Sequence, residues 1–548
     1  MASYSDRAMI PAASVESPVE LHGPPAAATA PALAEIVRPF DQAQRGIIFL
    51  DGSERRSVSY RELAGLAAPV ANRLRRLGVH AGDRVALTLG NELESVVTLL
   101  GIWAAGATVV SVPIGAVRDA AMSARHFGPV LRSADCAFLI GEGPEAGAVG
   151  AGDLRLITAD QLRGLPPEAG PTSEEGLDGV GLIQFTSGSL SAPKGVAISS
   201  AKLAGHAAML ANATFGIDPA EDRLVSWLPL YHDLGLITLF LTALTARADL
   251  VLMPPRSFAY GPARWIQALA AERGTITAAP NFAYRLAGRV PYDSGIDLSS
   301  VRMAISGGER ITWNTLEAFH RATAPLGISW EALMPAYGLA ESVVGTTLSK
   351  AGPTRGPGGQ VCVGAPLAGM SVQAPAGPTP GRLRIRGSWL FDGYFTVDGY
   401  VPTPAGEWFD TGDEGWIHGG GLYVQGRRAE VIATAGRNVF AEDIEVAVYD
   451  AEDGNVGACA AFRLSEAGDQ FGLMIEVPAR PRRSPAEIEA IGRRARAAAS
   501  AAVGVRVDTV MLVRSGTIPK TTSGKVQRGR CRSLAADDLG RKLLTCLD

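Results

Sequence analysis

Residues 84–112 constrain the fold of this chain more than any other stretch. Arg84-Val-Ala-Leu-Thr-Leu89 reads as a buried strand, 93–105 keeps apolar residues at helical spacing, and 108–112 reads again as a strand. Strand, helix, strand at this spacing is a crossover unit, so the fold class expected is α/β, with mainly parallel sheets covered by helices. The alternation continues through 224–230, 234–244, 250–253, 265–271 and 275–279. Ahead of it, Ser59-Tyr-Arg-Glu62 has the capping-box pattern and introduces Leu63, Leu66, Val70, Leu74 and Leu77 at helical spacing. Gly78 supplies the stop, and Pro69 predicts a kink inside.

At 548 residues the chain is too long for one core, and its composition, 47% hydrophobic with 19% charged, is that of a globular protein. The uncharged stretch 95–117 is long enough to raise the question of a membrane span. Gly101, Gly106, Pro113 and Gly115 interrupt it, so it reads as a buried helix followed by a buried strand, with no membrane span. A net charge of −4 gives no footprint for nucleic acid. The cysteines (Cys136, Cys362, Cys459, Cys531, Cys546) are odd in number and never in CxxC spacing, which fits a reducing, cytoplasmic setting. Residues 1–32 are rich in Ala, Pro and Ser and read as a flexible leader. Residues 33–426 form the expected large N-terminal domain. Past 350 it turns Gly/Pro-rich, with short alternating segments at 381–387 and 421–426 that predict a smaller β-rich layer. Residues 427–548 mix strands at 458–462, 473–477 and 509–513 with a helix over 485–502, and predict a small, mobile α+β lid domain.

Two loops carry the chemistry. Phe185-Thr-Ser-Gly-Ser-Leu-Ser-Ala-Pro-Lys-Gly195 lies between strand-like 182–184 and 196–198, which predicts a tight turn. Such a turn aims backbone N–H groups and hydroxyls into one concavity suited to a polyphosphate. It lacks the Gly-x4-Gly-Lys-Ser/Thr spacing of a P-loop. Far downstream, Pro519-Lys-Thr-Thr-Ser-Gly-Lys525-Val-Gln-Arg528 sets an isolated lysine in a flexible Ser-Gly context. Taken alone, either loop is more often a solvated turn; together they point to nucleotide chemistry shared between a large domain and a small one.

Further segments fall in a fixed order around them: Trp227-Leu-Pro-Leu-Tyr-His-Asp-Leu-Gly235, Ala279-Pro-Asn-Phe-Ala-Tyr284, Ser306-Gly-Gly-Glu309, Tyr337-Gly-Leu-Ala-Glu341, Asp410-Thr-Gly-Asp413 and Gly426-Arg-Arg428. This set resembles the adenylate-forming superfamily of acyl-CoA synthetases, adenylation domains and luciferases, and its wording is most similar to the fatty acyl-AMP ligase branch. The resemblance implies that ATP activates a carboxylic acid to an acyl-adenylate, which passes to a phosphopantetheine thiol, that of an acyl carrier protein or of CoA. Thr186, Ser187, Gly188, Ser189 and Lys194 would cradle the β- and γ-phosphates, and Thr186 with Glu341 would hold Mg²⁺. Gly307, Gly308 and Glu309 would lie along the adenine, with Tyr337 and Gly338 beside the nucleotide. Asp413 would accept the ribose hydroxyls, assisted by Arg427, and Arg437 or Asn438 would meet ATP on closure. Lys525 would reach the carboxylate and α-phosphate as the catalytic lysine. His232 would line the carboxylate end of the acyl pocket, and Asn281, Phe282, Tyr284 and Met334 would line the rest, although aromatic and Met residues are core by default.

The pattern is broken in three places. Leu190-Ser191 replaces the usual Thr-Gly of the phosphate loop, so one phosphate hydrogen bond is lost and a weaker KM for ATP is expected. The hinge position after Gly426-Arg427-Arg428 is Ala429, where Asp or Lys is usual; a small residue suits rotation. Only about twenty residues separate Glu341 from Val363-Gly-Ala-Pro366, so the insertion that the resembled branch usually carries here, and that disfavours CoA, is absent or shortened. The leading expectation is therefore an ATP-dependent acid ligase serving a carrier protein, with an acyl-CoA synthetase as the close alternative. A degenerate, non-catalytic nucleotide or acyl binder, prompted by Leu190 and Ser191, is the alternative from another class.

Overall fold

The computed structural model describes residues 18–27, 31–37, 45–112, 120–149, 154–164, 179–186, 194–357, 359–434, 437–452, 454–465, 469–520, 525–537 and 539–547. Among these residues the strands form five sheets. The crossover unit read at 84–112 is the centre of the eight-stranded one. Arg84–Thr88 runs parallel to Thr108–Val112 and Phe138–Ile140, and Thr108–Val112 runs parallel to Val180–Thr186. The helix between them, Leu93–Ala104, buries Val96, Leu99, Leu100 and Trp103, and the Trp103 indole N–H donates to the Gly181 carbonyl at 2.9 Å. The same helix buries Gly101 against Val70 of the Tyr60–Arg76 helix, where an added Cβ would lie 2.6 Å from Val70.

That Tyr60–Arg76 helix opens as its sequence predicts. Ser59 Oγ accepts from the Glu62 N–H at 3.2 Å while the Glu62 carboxylate accepts from the Ser59 N–H at 2.8 Å. At the other end Gly78, with φ +91°, lets the Val79 N–H reach the Leu74 carbonyl at 3.0 Å. The helix continues through Pro69, and Leu66 stays exposed while Leu63, Val70 and Leu74 are buried.

A nine-stranded sheet packs in the same apolar cluster. Its parallel strands include Arg223–Ser226, Ile276–Ala279, Met303–Ser306 and Leu333–Tyr337, so their C-terminal ends lead into the sequence segments that carry the candidate residues. In an open α/β sheet that end of the strands is where ligands bind. The 234–244 stretch divides into a π-helix, Leu234–Leu241, and an α-helix, Thr242–Ala246. The wider π turn presents Leu234 and Thr238 to a shared cavity.

The five-stranded sheet corrects one expectation. Val19–His22, inside the stretch read as a flexible leader, pairs antiparallel with Met370–Ala374, from Val19 opposite Ala374 to His22 opposite Ser371. Its polar composition hid a strand because most of its side chains remain exposed at the sheet edge. Beyond Arg427 the chain forms a hairpin (Val431–Thr434 with Arg437–Phe440), a four-stranded sheet, and the helices Ala441–Glu452, Pro485–Val503 and Arg528–Ala536. Its main apolar cluster runs from Ile432 to Leu512, separate from the one that ends at Leu422. Among the described residues no helix is long and apolar enough to cross a membrane.

Candidate active site

A cavity of about 680 Å³ lies where the C-terminal ends of these strands meet the small domain. His232, Asn281, Phe282, Gly307, Gly308, Glu309, Tyr337, Gly338, Glu341, Asp413, Arg427 and Lys525 all line it. Residues separated by hundreds of positions thus share one space.

Gly307 and Gly308 follow the Met303–Ser306 strand, and Gly308 has φ +80°, a conformation that glycine adopts without strain. Gly338 ends the Leu333–Tyr337 strand, where a Cβ would fall 1.8 Å from the Val344 carbonyl oxygen. Beside it the Tyr337 hydroxyl donates to Asp413 Oδ2 at 2.7 Å, and Arg427 Nε stands 3.4 Å from Asp413 Oδ1. Asp413 and Arg427 are directly opposite each other on neighbouring strands. Burial pushes the Asp413 carboxyl up, against the opposing pull of Arg427, the Tyr337 hydroxyl and Lys525.

His232 follows a sharp turn in which its own N–H donates to the Pro229 carbonyl at 3.1 Å. Its Nδ1 lies 2.6 Å from Asp233 Oδ1, and the same carboxylate accepts from the Leu234 N–H at 2.7 Å. Burial works to raise the Asp233 carboxyl, but His232 and Lys525 outweigh it and the net shift is downward. Glu309 moves the other way: burial raises it, while the Phe282 N–H, Arg285 and Lys525 pull it down. Lys525 therefore acts electrostatically on Asp233, Glu309 and Asp413 together. Just after it, Val526 forms an antiparallel bridge with Lys520 and the Gln527 N–H donates to the Pro519 carbonyl at 2.9 Å.

Apolar residues complete the lining, among them Leu210, Phe215, Leu234, Val344, Leu348, Val363 and Leu367. Next to His232, Gln184 donates its amide to the Tyr231 carbonyl at 3.0 Å.

Five sequence-predicted residues among those described, Tyr284, Met334, Arg437, Asn438 and Lys194, do not line the cavity. Tyr284 is fully buried, donates its hydroxyl to the Ile305 carbonyl at 2.9 Å, and packs edge-on against Trp265 and Phe319. Met334 lies within its strand opposite Ile305 and is also core. Arg437 sits at the turn end of its hairpin and donates to the Val503 carbonyl at 3.4 Å. Lys194 opens the Lys194–Ser199 strand, where it pairs with Thr186 and faces the Tyr394 ring at 5.1 Å. Ser187, Gly188, Ser189, Leu190, Ser191 and the Thr186 side chain lie outside the described residues.

Several residues not singled out by sequence belong to the same assembly. Arg528 donates twice to Glu445 at 2.8 Å, pairs with Glu430, and lies 3.7 Å from Glu442. Arg310 of the large domain pairs with Asp443 at 2.6 Å, Asn314 donates to Asp450 at 2.8 Å, and Arg285 stacks over Tyr449 at 3.7 Å. Asp233 and Arg528 lay inside the quoted motifs, so their neighbours marked them; Arg310, Glu442 and Tyr449 had no such mark. As an arrangement, the cavity offers hydrogen-bond acceptors, an apolar wall and a lysine delivered from a second domain. That combination can bind a nucleotide and bring a carboxylate to its phosphate.

Comparison with known proteins agrees. A family model described as AMP-binding enzyme matches residues 39–395. The long-chain-fatty-acid–AMP ligase FadD26 of Mycobacterium marinum is 31% identical over 544 residues, covering 87% of this chain and 91% of that protein. A putative fatty-acid–CoA ligase, fadD25, of Mycobacterium tuberculosis is 30% identical over 544 residues, covering 88% and 91%. A solved structure from studies of fatty acyl-adenylate ligases from E. coli and L. pneumophila matches with a TM-score of 0.79 at 25% identity, covering 92% of this chain and 99% of that one. The McyG A-PCP structure complexed with phenylalanyl-adenylate shares the fold, with a TM-score of 0.82 at 22% identity over 95% and 85% of the two chains.

Proposed function

Because the chain belongs to the AMP-binding enzyme family, we propose that it activates a fatty acid with ATP and delivers the acyl group to the phosphopantetheine thiol of an acyl carrier protein. The single observation that carries this reading is Lys525, supplied by the small domain into the cavity that holds Glu309, Glu341, Asp413 and His232 of the large one.

In the first half-reaction a carboxylate oxygen attacks the α-phosphorus of ATP. An acyl–phosphate bond forms and pyrophosphate leaves. Two anions must meet, so fixed positive charge and in-line positioning are the main requirements. Lys525 is assigned the carboxylate and α-phosphate oxygens, where its charge is most useful in the transition state. Asp413, oriented by Tyr337 and Arg427, accepts the ribose hydroxyls; Gly307, Gly308 and Glu309 flank the base. His232, tied to Asp233, borders the carboxylate, and the apolar lining with Asn281 and Phe282 takes the alkyl chain. Thr186, Ser187, Gly188, Ser189 and Lys194 are assigned the outer phosphates. Mg²⁺ when bound would neutralise phosphate charge. The residues present fit it, since Glu341 offers a carboxylate, a hard oxygen donor, in the cavity, and Thr186 is the second candidate ligand. In the second half-reaction the thiol attacks the acyl carbon and AMP departs.

The two half-reactions are assigned to two orientations of 427–548 against 33–426, with rotation about exposed Ala429 in the short 3₁₀ turn Arg428–Glu430. A cytosolic setting is consistent with five free cysteines, four of them buried. A second reading, transfer to free CoA, is favoured by one observation. Between the Thr347–Leu348 strand and its partner Ala365–Pro366, the described residues of 349–364 hold no helix or named strand, and the Cys362 N–H donates to the Thr354 carbonyl at 2.9 Å. The deciding experiment is mass spectrometry of the purified protein with ATP, Mg²⁺ and a series of fatty acids, with CoA or a holo carrier protein in parallel. Acyl-AMP discharged by the carrier alone supports the proposal. Acyl-CoA replaces it with the second reading, and no adenylate from any acid rejects both.

A further inference from the structure

Residues 391–396 tie the two halves of the phosphate-handling apparatus together. The Gly393–Thr396 strand runs antiparallel to Lys194–Ser199, placing Tyr394 opposite Val196 and Phe395 opposite Gly195. The Asp392 carboxylate accepts from the Ser199 N–H at 2.5 Å and from Lys202 Nζ at 2.7 Å, which anchors the strand to the base of the hairpin. On its other side the Phe391 N–H donates to the Glu341 carbonyl at 2.9 Å, and the Tyr394 hydroxyl donates to Glu341 Oε1 at 2.7 Å. Glu341 is therefore gripped at backbone and carboxylate by residues three apart. The ring of the same tyrosine faces Lys194 Nζ, 5.1 Å from its centroid.

We infer that Tyr394 is a positioning residue for phosphate and metal, its hydroxyl fixing the Glu341 carboxylate while its ring seats the Lys194 ammonium. One rigid side chain thus sets the spacing between the lysine on the phosphate loop and the carboxylate in the cavity. An unrestrained glutamate has several rotamers that turn its carboxylate elsewhere, and the hydrogen bond removes them. The inference rests on the reading of Glu341 as a Mg²⁺ ligand, and its test separates the two.

Mn²⁺ substitutes for Mg²⁺ as a paramagnetic probe, and its binding to the protein with ATP is followed by electron paramagnetic resonance, with no turnover needed. Glu341→Gln is the reference. Tyr394→Phe keeps the ring beneath Lys194 and deletes only the hydroxyl. It is expected to weaken Mn²⁺ binding about ten-fold, the scale usual for groups that orient a metal ligand. ATP binding without metal should be unchanged. Glu341→Asp, which draws the carboxylate back from the hydroxyl but keeps its charge, should weaken Mn²⁺ similarly. If Glu341→Gln weakens Mn²⁺ while Tyr394→Phe binds it like the wild type, whatever Glu341→Asp does, the positioning role of Tyr394 is overturned and the Glu341 reading stands. If Glu341→Gln itself leaves Mn²⁺ binding intact, the metal reading and the inference fall together.

Discussion

Lys525 is the side chain on which the proposed chemistry turns, because its charge bears on Asp233, Glu309 and Asp413 at once. Lys525→Ala is expected to slow adenylation roughly 10²–10³-fold, the usual loss when a positioned charge or donor is removed. ATP should still bind, so pyrophosphate release and nucleotide titration should separate; an unimpaired adenylation rate would reject the two-domain mechanism. Leu190→Thr restores a hydroxyl to the phosphate loop and should lower KM for ATP, since a hydrogen bond to a charged group contributes roughly 1.5–3 kcal/mol. An unchanged KM would place Leu190 away from the phosphates. Lys525 and Asp413 were legible because each sits in a run of small and polar residues with little packing use, and Glu341 because it closes the Tyr337-Gly-Leu-Ala-Glu341 segment that carries the resemblance. Tyr284 and Met334 were not. An apolar residue near a pocket carries the same sequence signal whether it faces the pocket or the core, and only packing against Trp265, Phe319 and Ile305 decides. Tyr394 gave no signal, because its role depends on Glu341, 53 positions away.

Elements were easier to read than residues wherever local chemistry dictates them. The Ser59–Glu62 capping box forms both of its reciprocal hydrogen bonds, and Ser59→Ala should destabilise the large domain by about 1 kcal/mol, visible as a lower midpoint in urea. An unaltered midpoint would mean that the buried face of the helix, not its cap, fixes its start. Gly381–Gly387 and Pro485–Val503 likewise form where alternation and a Ser-Pro start place them. The π-helical turn at Leu234–Leu241 was illegible in type, since its apolar run suits any buried helix. Val19–His22 was missed because an edge strand buries little and needs no apolar pattern.

At the scale of the whole molecule, the two domains meet through polar and cation–π contacts, with their main apolar cores kept apart. Such an interface is sensitive to protons. Glu442 lines the cavity near Gly426, facing Arg310 from the large domain and Arg528, Glu430 and Glu445 from its own side. Burial pushes its carboxyl up to about 7, against the pull of Arg528 and Arg310. A raised carboxyl contributes to the stability of the folded arrangement fully below its ordinary value of 4.5, and the contribution is lost as pH rises through about 7. Glu442→Gln should therefore flatten the pH dependence of stability in that window, read from urea midpoints across it; an identical slope in the variant would exclude Glu442 as its source. The first strand carries a consequence of another kind. Glu20 is hydrogen-bonded to Gln373, 353 positions later, so the first strand leaves the ribosome long before its neighbour exists. At ordinary elongation rates the wait is roughly 20–70 s. The amino-terminal segment is made first and docked late, and the timetable of synthesis makes closure of that sheet edge one of the last events in building the large domain.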